Sequence, residues 1–98
     1  MIQDVYIKIH HSMDIKEFYS HIKKSYQDNK KVRFIFDCTG SNVSIDDMNK
    51  IKQVFDKLET ETKEKLEETC IIIEGDIKRT IVNTFISTIK SKKPVRIL

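Results

Sequence analysis

The sequence predicts an α/β domain: a four-stranded, mainly parallel sheet with three helices, in the order βαβαβαβ. Three observations carry this. Short apolar runs (DVYIKI, VRFIFD, CIII, VRIL) alternate with longer amphipathic stretches. Each amphipathic stretch opens on a capping residue, Asp14, Ser44 or Asp76. Helical connections between successive strands favour parallel pairing with right-handed crossovers. With 98 residues and no repeat or low-complexity tract, residues 1–98 read as one domain.

Asp4 to Ile9 alternates Val5, Ile7 and Ile9 against Tyr6 and Lys8, the pattern of a strand with one buried face. Asp14 then caps a helix, with Glu17 at the third position and Met13 and Phe18 at the two staple positions. Ile15, Phe18, Tyr19, Ile22 and Tyr26 form its apolar stripe, and Asp28-Asn29 ends it. Val32 to Phe36 is apolar almost throughout, which predicts a central strand with helices on both faces. Ser44 opens the second helix, with Asp47 at the third position and a Val43–Met48 staple. Ile45, Met48, Ile51, Phe55 and Leu58 share one stripe, and the helix is expected to break near Thr60 to Thr62 in the charged run Glu59 to Glu68. Cys70 to Ile73 reads as the most buried strand, turned by Gly75. The third helix turns Ile77, Ile81, Val82, Phe85, Ile86 and Ile89 inward, and Lys90, Lys92 and Lys93 suit its negative end. Pro94 opens the last strand, Val95 to Leu98, a position that Pro tolerates.

Composition excludes several classes. Hydrophobic residues make up 39% and charged residues 34%, a globular rather than disordered balance. No window approaches the roughly 18 apolar residues of a membrane span. The opening Met1-Ile2-Gln3-Asp4 lacks the basic start of a signal peptide, and two cysteines without secretory context read as reduced thiols. The expected compartment is therefore the cytoplasm. A net charge of +3, with both signs on every helix, describes a solvated surface. The basic clusters (Lys23, Lys24, Lys30, Lys31, Arg33; Lys90, Lys92, Lys93, Arg96) have no interleaved aromatic platform. Specific nucleic-acid reading is unsupported.

The working edge is expected after Asp37, where the carboxyl end of a strand meets a Gly-bearing loop. Asp37-Cys38-Thr39-Gly40, a polar loop and a helix start resemble the corresponding region of the STAS domain, the fold of anti-sigma-factor antagonists. The later stretch TCIIIEGDIKRTIVNTFISTIKSKKPVRIL fits the same pattern and also resembles the C-terminal part of CRAL-TRIO lipid-transfer domains. The STAS resemblance implies a non-catalytic regulatory surface for another protein. Its residues would be Asp37, Thr39, Gly40, Ser41, Asn42, Ser44, Asp46 and Asp47, with Ser44 a candidate for phosphorylation. The family's phosphorylatable residue stands where this chain has Asp46 and Asp47, and Ser44 also reads as a plain N-cap. The CRAL-TRIO resemblance implies a lipid- or small-ligand-binding module, although this chain is too short for that family's gate helices.

IFDCTGS also resembles the D-x-T-G-[ST] aspartyl-phosphate motif of cation-pumping ATPases and haloacid dehalogenases, which would make Asp37 a phosphoryl-transfer nucleophile. The second metal-binding acid is not in its usual place, so no enzyme is expected, and Asp37 reads as an acid capping loop amides. His10, His11, His21, Cys38 and Cys70 lack zinc-like spacing, and no metal or cofactor is expected. Cys38 is placed at the carboxyl end of its strand and Cys70 at the amino end of its own, roughly 16–20 Å apart, too far for a disulfide. The uncharged Thr80, Asn83, Thr84, Ser87 and Thr88 side of the third helix suggests a two-fold homodimer.

Overall fold

The computed structural model describes residues 2–10, 13–27, 30–40, 42–88 and 93–98. The elements run β1 (Ile2–Lys8), α1 (Ile15–Ser25), β2 (Lys31–Asp37), α2 (Ile45–Lys57), α3 (Glu59–Lys65), β3 (Leu66–Ile72), α4 (Asp76–Thr88) and β4 (Val95–Ile97). All four strands are parallel and lie in sequence order, β1-β2-β3-β4. Crossovers of one hand that always step the same way across a sheet stack every helix on the same face.

Side chains confirm that arrangement. Val32, Phe34 and Phe36 of β2 are fully buried with Phe18 and Ile22 of α1, Met48, Ile51 and Val54 of α2, and Val82 of α4. Arg33, Ile35 and Asp37 point the other way, into a sheet face without a helix among the described residues. This corrects the expectation of helices on both faces. The bare face is kept polar by cross-strand ion pairs: Arg33 bonds Asp4 at 2.8 Å and Glu68 at 3.1 Å, and Arg96 reaches Glu68 at 3.2 Å. Ile35 is half-buried in the row between Tyr6 and Cys70.

A bulge sets the faces of β3. Val32 pairs with Leu66 but Arg33 pairs with Glu68, so Glu67 is the extra residue. The slip lets Leu66 and Thr69 share the helix side, followed by Ile71 and Ile73. Residues 66–68 are thus strand, not helix.

The second helix breaks at Leu58, two residues before the expected point. Leu58 has φ −103° and ψ 37° and is buried, which ends α2 and starts the short, wholly exposed-to-half-buried α3. Among the described side chains of α4 only Val82 is buried; Phe85 and Ile86 are half-buried, and Ile77 is 79% exposed. Ile77 and Ile81, expected inside, lie outside because α4 rests on its opposite flank. Its hydroxyls bond their own helix: Thr80 donates to Asp76 O and Thr84 to Thr80 O at 2.9 Å each, and Ser87 to Thr84 O at 2.8 Å. These bonds satisfy the hydroxyls of the uncharged side within α4 itself.

Cys70 sits opposite Ile35, near the carboxyl end of β3 rather than its amino end. It lies about three residues, roughly 10 Å, along the sheet from Cys38, and the two thiols face opposite sides. Both are free and buried. Asp28, Asn29, His11, Ser41, Ile89, Lys90 and Lys92 lie outside the described residues, as does the side chain of Thr88.

Candidate functional site

The loop after β2 is built around Asp37. Its Oδ1 accepts the Thr39 hydroxyl at 2.5 Å and the Thr39 backbone N–H at 2.9 Å; its Oδ2 accepts the Tyr6 hydroxyl at 2.5 Å. Lys8 Nζ lies 3.5 Å from Oδ1 and also donates to Thr39 Oγ1 at 3.1 Å and to the Thr39 carbonyl oxygen. Hydrogen bonds from the Thr39 hydroxyl, then from Tyr6, hold the Asp37 carboxyl well below the usual carboxylate range. The same bond raises the Tyr6 phenol. Both oxygens of the would-be nucleophile are therefore engaged. Asp37 serves as the pin of the turn.

Gly40, at φ 72°, takes the left-handed conformation that this turn requires. Gly40, Asn42 and Asp46 are exposed, Thr39 and Ser44 are half-buried, and Asp47 is buried. Ser44 and Asp47 form a reciprocal capping box. Asp47 N–H donates to Ser44 Oγ at 3.3 Å, and Ser44 N–H and Oγ–H donate to Asp47 Oδ2 at 3.0 and 3.1 Å. A phosphate on Ser44 would face that carboxylate and dismantle the cap. Ser44, Asp46 and Asp47, with Asn49, Lys50 and Gln53, line a shallow polar hollow of about 540 Å³. Among the described residues no three His, Cys, Asp or Glu side chains group as metal ligands.

A second feature lies on the helix side of the sheet. Between α2 and α4 the packing leaves an apolar groove of about 280 Å³. Its floor is Phe36, Thr69, Ile71 and Val95, one wall is Met48, Ile51 and Phe55, and the other is Phe85 and Ile86. At the amino end of β3 and β4, Leu66, Thr62, Lys63 and Lys93 frame it, and Lys52, Asp56 and Glu59 edge it. Cys38 lines it too, and burial, then the Asp37 charge, pushes its thiol up to about 11. At neutral pH this cysteine is an inert wall residue.

The groove lies where α4 buries Val82 and sets the half-buried Phe85 and Ile86 on the opposite wall from Phe55. By sequence pattern these residues are plain core, and Thr69, Lys63 and Lys93 do not stand out as site residues. The one local signal was Thr69, a polar residue opening the most apolar strand in the chain.

The fold is a small parallel α/β sheet with its helices on one face and an apolar cleft beneath its last helix. The chain belongs to the divergent CRAL/TRIO domain family, whose profile matches residues 15–97. The matched span contains every groove residue, and it supports the CRAL-TRIO resemblance. Comparison with curated proteins and with solved structures finds no match. No helix among the described residues is long and apolar enough to cross a membrane.

Proposed function

We propose that this chain is a non-catalytic binding module for a small apolar ligand, in the manner of CRAL-TRIO lipid-binding domains, with the α2–α4 groove as the site. The observation that carries this reading is the groove's lining of Phe36, Met48, Ile51, Phe55, Phe85 and Ile86. Covering such a surface is favourable by about 25 cal/mol per Å² removed from water. Its 280 Å³ stands at the lower edge of ligand sites, roughly 300–1,000 Å³, which suits one chain or a small ring rather than a two-chain lipid.

The bonds from Tyr6 and Thr39 to the two Asp37 oxygens favour a structural over a phosphoryl-transfer role for this carboxylate, since they tie it into the turn. A second reading places a regulatory protein partner on the loop after Asp37. It rests on the exposure of Gly40, Asn42 and Asp46 at a strand's carboxyl end.

Native mass spectrometry of the protein purified from expressing cells tests the first reading. The expected spectrum shows a small organic adduct that solvent extraction removes and that Ile86→Trp, which fills the groove, does not retain. A bare wild-type mass that also stays bare after incubation with dodecan-1-ol would count against it.

A further inference from the structure

Thr69 is 4% exposed and lines the groove floor, yet its side chain makes no hydrogen bond among the described residues. No sealed polar side-chain atom there lacks a partner, so this hydroxyl opens on the groove. A hydroxyl open to the groove is free to exchange water for a ligand oxygen as its partner. Thr69 N–H donates to Pro94 O at 3.0 Å, which brings Thr69 beside the residue that follows Lys93. Lys63, at the last turn of α3, frames the same end and makes no ion pair among the described residues.

The charges at the edge are unequal. Lys52, Lys63 and Lys93 stand against Asp56 and Glu59, and Lys52 is already paired with Asp56 at 2.7 Å. Counted together the edge carries one more positive than negative charge, and Lys63 and Lys93 frame the Thr69 end. Cys38 and Met48, toward the other end, are apolar and buried. One end of the groove thus offers a hydroxyl and ammonium groups, and the rest offers only hydrocarbon and aromatic rings.

We infer that the ligand is a single-chain amphiphile with a carboxylate head, the head held by Thr69, Lys93 and Lys63 and the tail lying between Met48, Phe55, Phe85 and Ile86. This rests on the groove being the ligand site and goes beyond it by fixing the head group and its orientation. A carboxylate accepts charge-assisted hydrogen bonds from ammonium groups and a further one from a hydroxyl. A neutral head of equal length gains only the last.

Isothermal titration calorimetry with dodecanoate and with dodecan-1-ol tests this on the wild type, Lys63→Gln/Lys93→Gln and Thr69→Val. The wild type is expected to bind the acid about tenfold tighter than the alcohol. The lysine double variant is expected to lose that preference while keeping its affinity for the alcohol. Thr69→Val, which preserves shape, is expected to weaken both. Equal wild-type affinities, or a preference that survives in the double variant, would overturn the head-group assignment and leave the groove standing. Failure of both molecules to bind the folded wild type would remove the groove reading, and this inference with it.

Discussion

The Tyr26 hydroxyl lies 3.0 Å from Thr62 Oγ1, joining the end of α1 to α3 across the sheet's amino edge. Lys65 Nζ donates to the Tyr26 carbonyl oxygen at 2.5 Å, a second tie between the same elements. Since α3 has no buried residue of its own, these polar bonds and the buried Leu58 and Leu66 at its ends hold it in place. The end of the groove framed by Thr62 and Lys63 depends on that placement.

Tyr26→Phe keeps the ring and removes the hydroxyl. A loss of about 1 kcal/mol in urea unfolding at pH 7 is expected. Burial pushes the Tyr26 phenol up to about 12 in the folded chain, against about 10 unfolded. Its contribution is therefore intact below pH 10 and lost as pH rises from about 10 towards 12. The difference between wild type and Tyr26→Phe should shrink across that window. A difference that grows with pH would show that the phenol is not the titrating group.

Asp37 works in the opposite direction. Its carboxyl is depressed in the fold, so its contribution is present above the unfolded value near 4 and disappears as pH falls below it. Asp37→Asn should be less stable than wild type at pH 7, and the gap should close under acid. Parallel acid-denaturation curves with a constant gap would place the effect in packing instead of ionisation.

The two faces of the sheet should respond unequally. Phe34 sits with ring centroids 5.5 Å from Tyr26, 5.7 Å from Phe36 and 5.8 Å from Phe55. Phe34→Ala should cost about 3–5 kcal/mol. Tyr6→Ala, on the bare face, should cost only a small part of that. Comparable losses at both positions would mean that something covers the second face.

Thiol chemistry gives an independent check on the groove wall. Both cysteines are buried, and the Cys38 thiol is pushed up to about 11. Ellman's reagent should find no fast-reacting thiol in the native protein at pH 7 and two after unfolding. One rapid native thiol would put Cys38 or Cys70 in an open position.

Much of this fold was legible from local pattern. Val5, Ile7 and Ile9 alternate because one face of β1 is buried, and Asp14 and Ser44 cap helices where their spacing places them. What local pattern could not show was which neighbour each strand takes. Ile35 reads as a second apolar face until the order β1-β2-β3-β4 puts all helices opposite it and Arg33 and Asp37 beside it. The bulge at Glu67 has no signature in a run of charged residues. The loop after Asp37 was visible because turns and caps are written in adjacent residues. The groove was not, because Phe55, Phe85 and Ile86 are ordinary core types; only the distance between α2 and α4 makes them a lining.

Amide chemical-shift mapping with dodecan-1-ol is the most direct test of where a ligand goes. With uniformly ¹⁵N-labelled protein, saturable shifts are expected at Thr69, Ile71, Phe85 and Ile86 and at neighbouring Met48 and Ile51. Shifts confined to Thr39, Gly40, Asn42 and Asp46, or no saturable shift at all, would contradict an apolar site between α2 and α4.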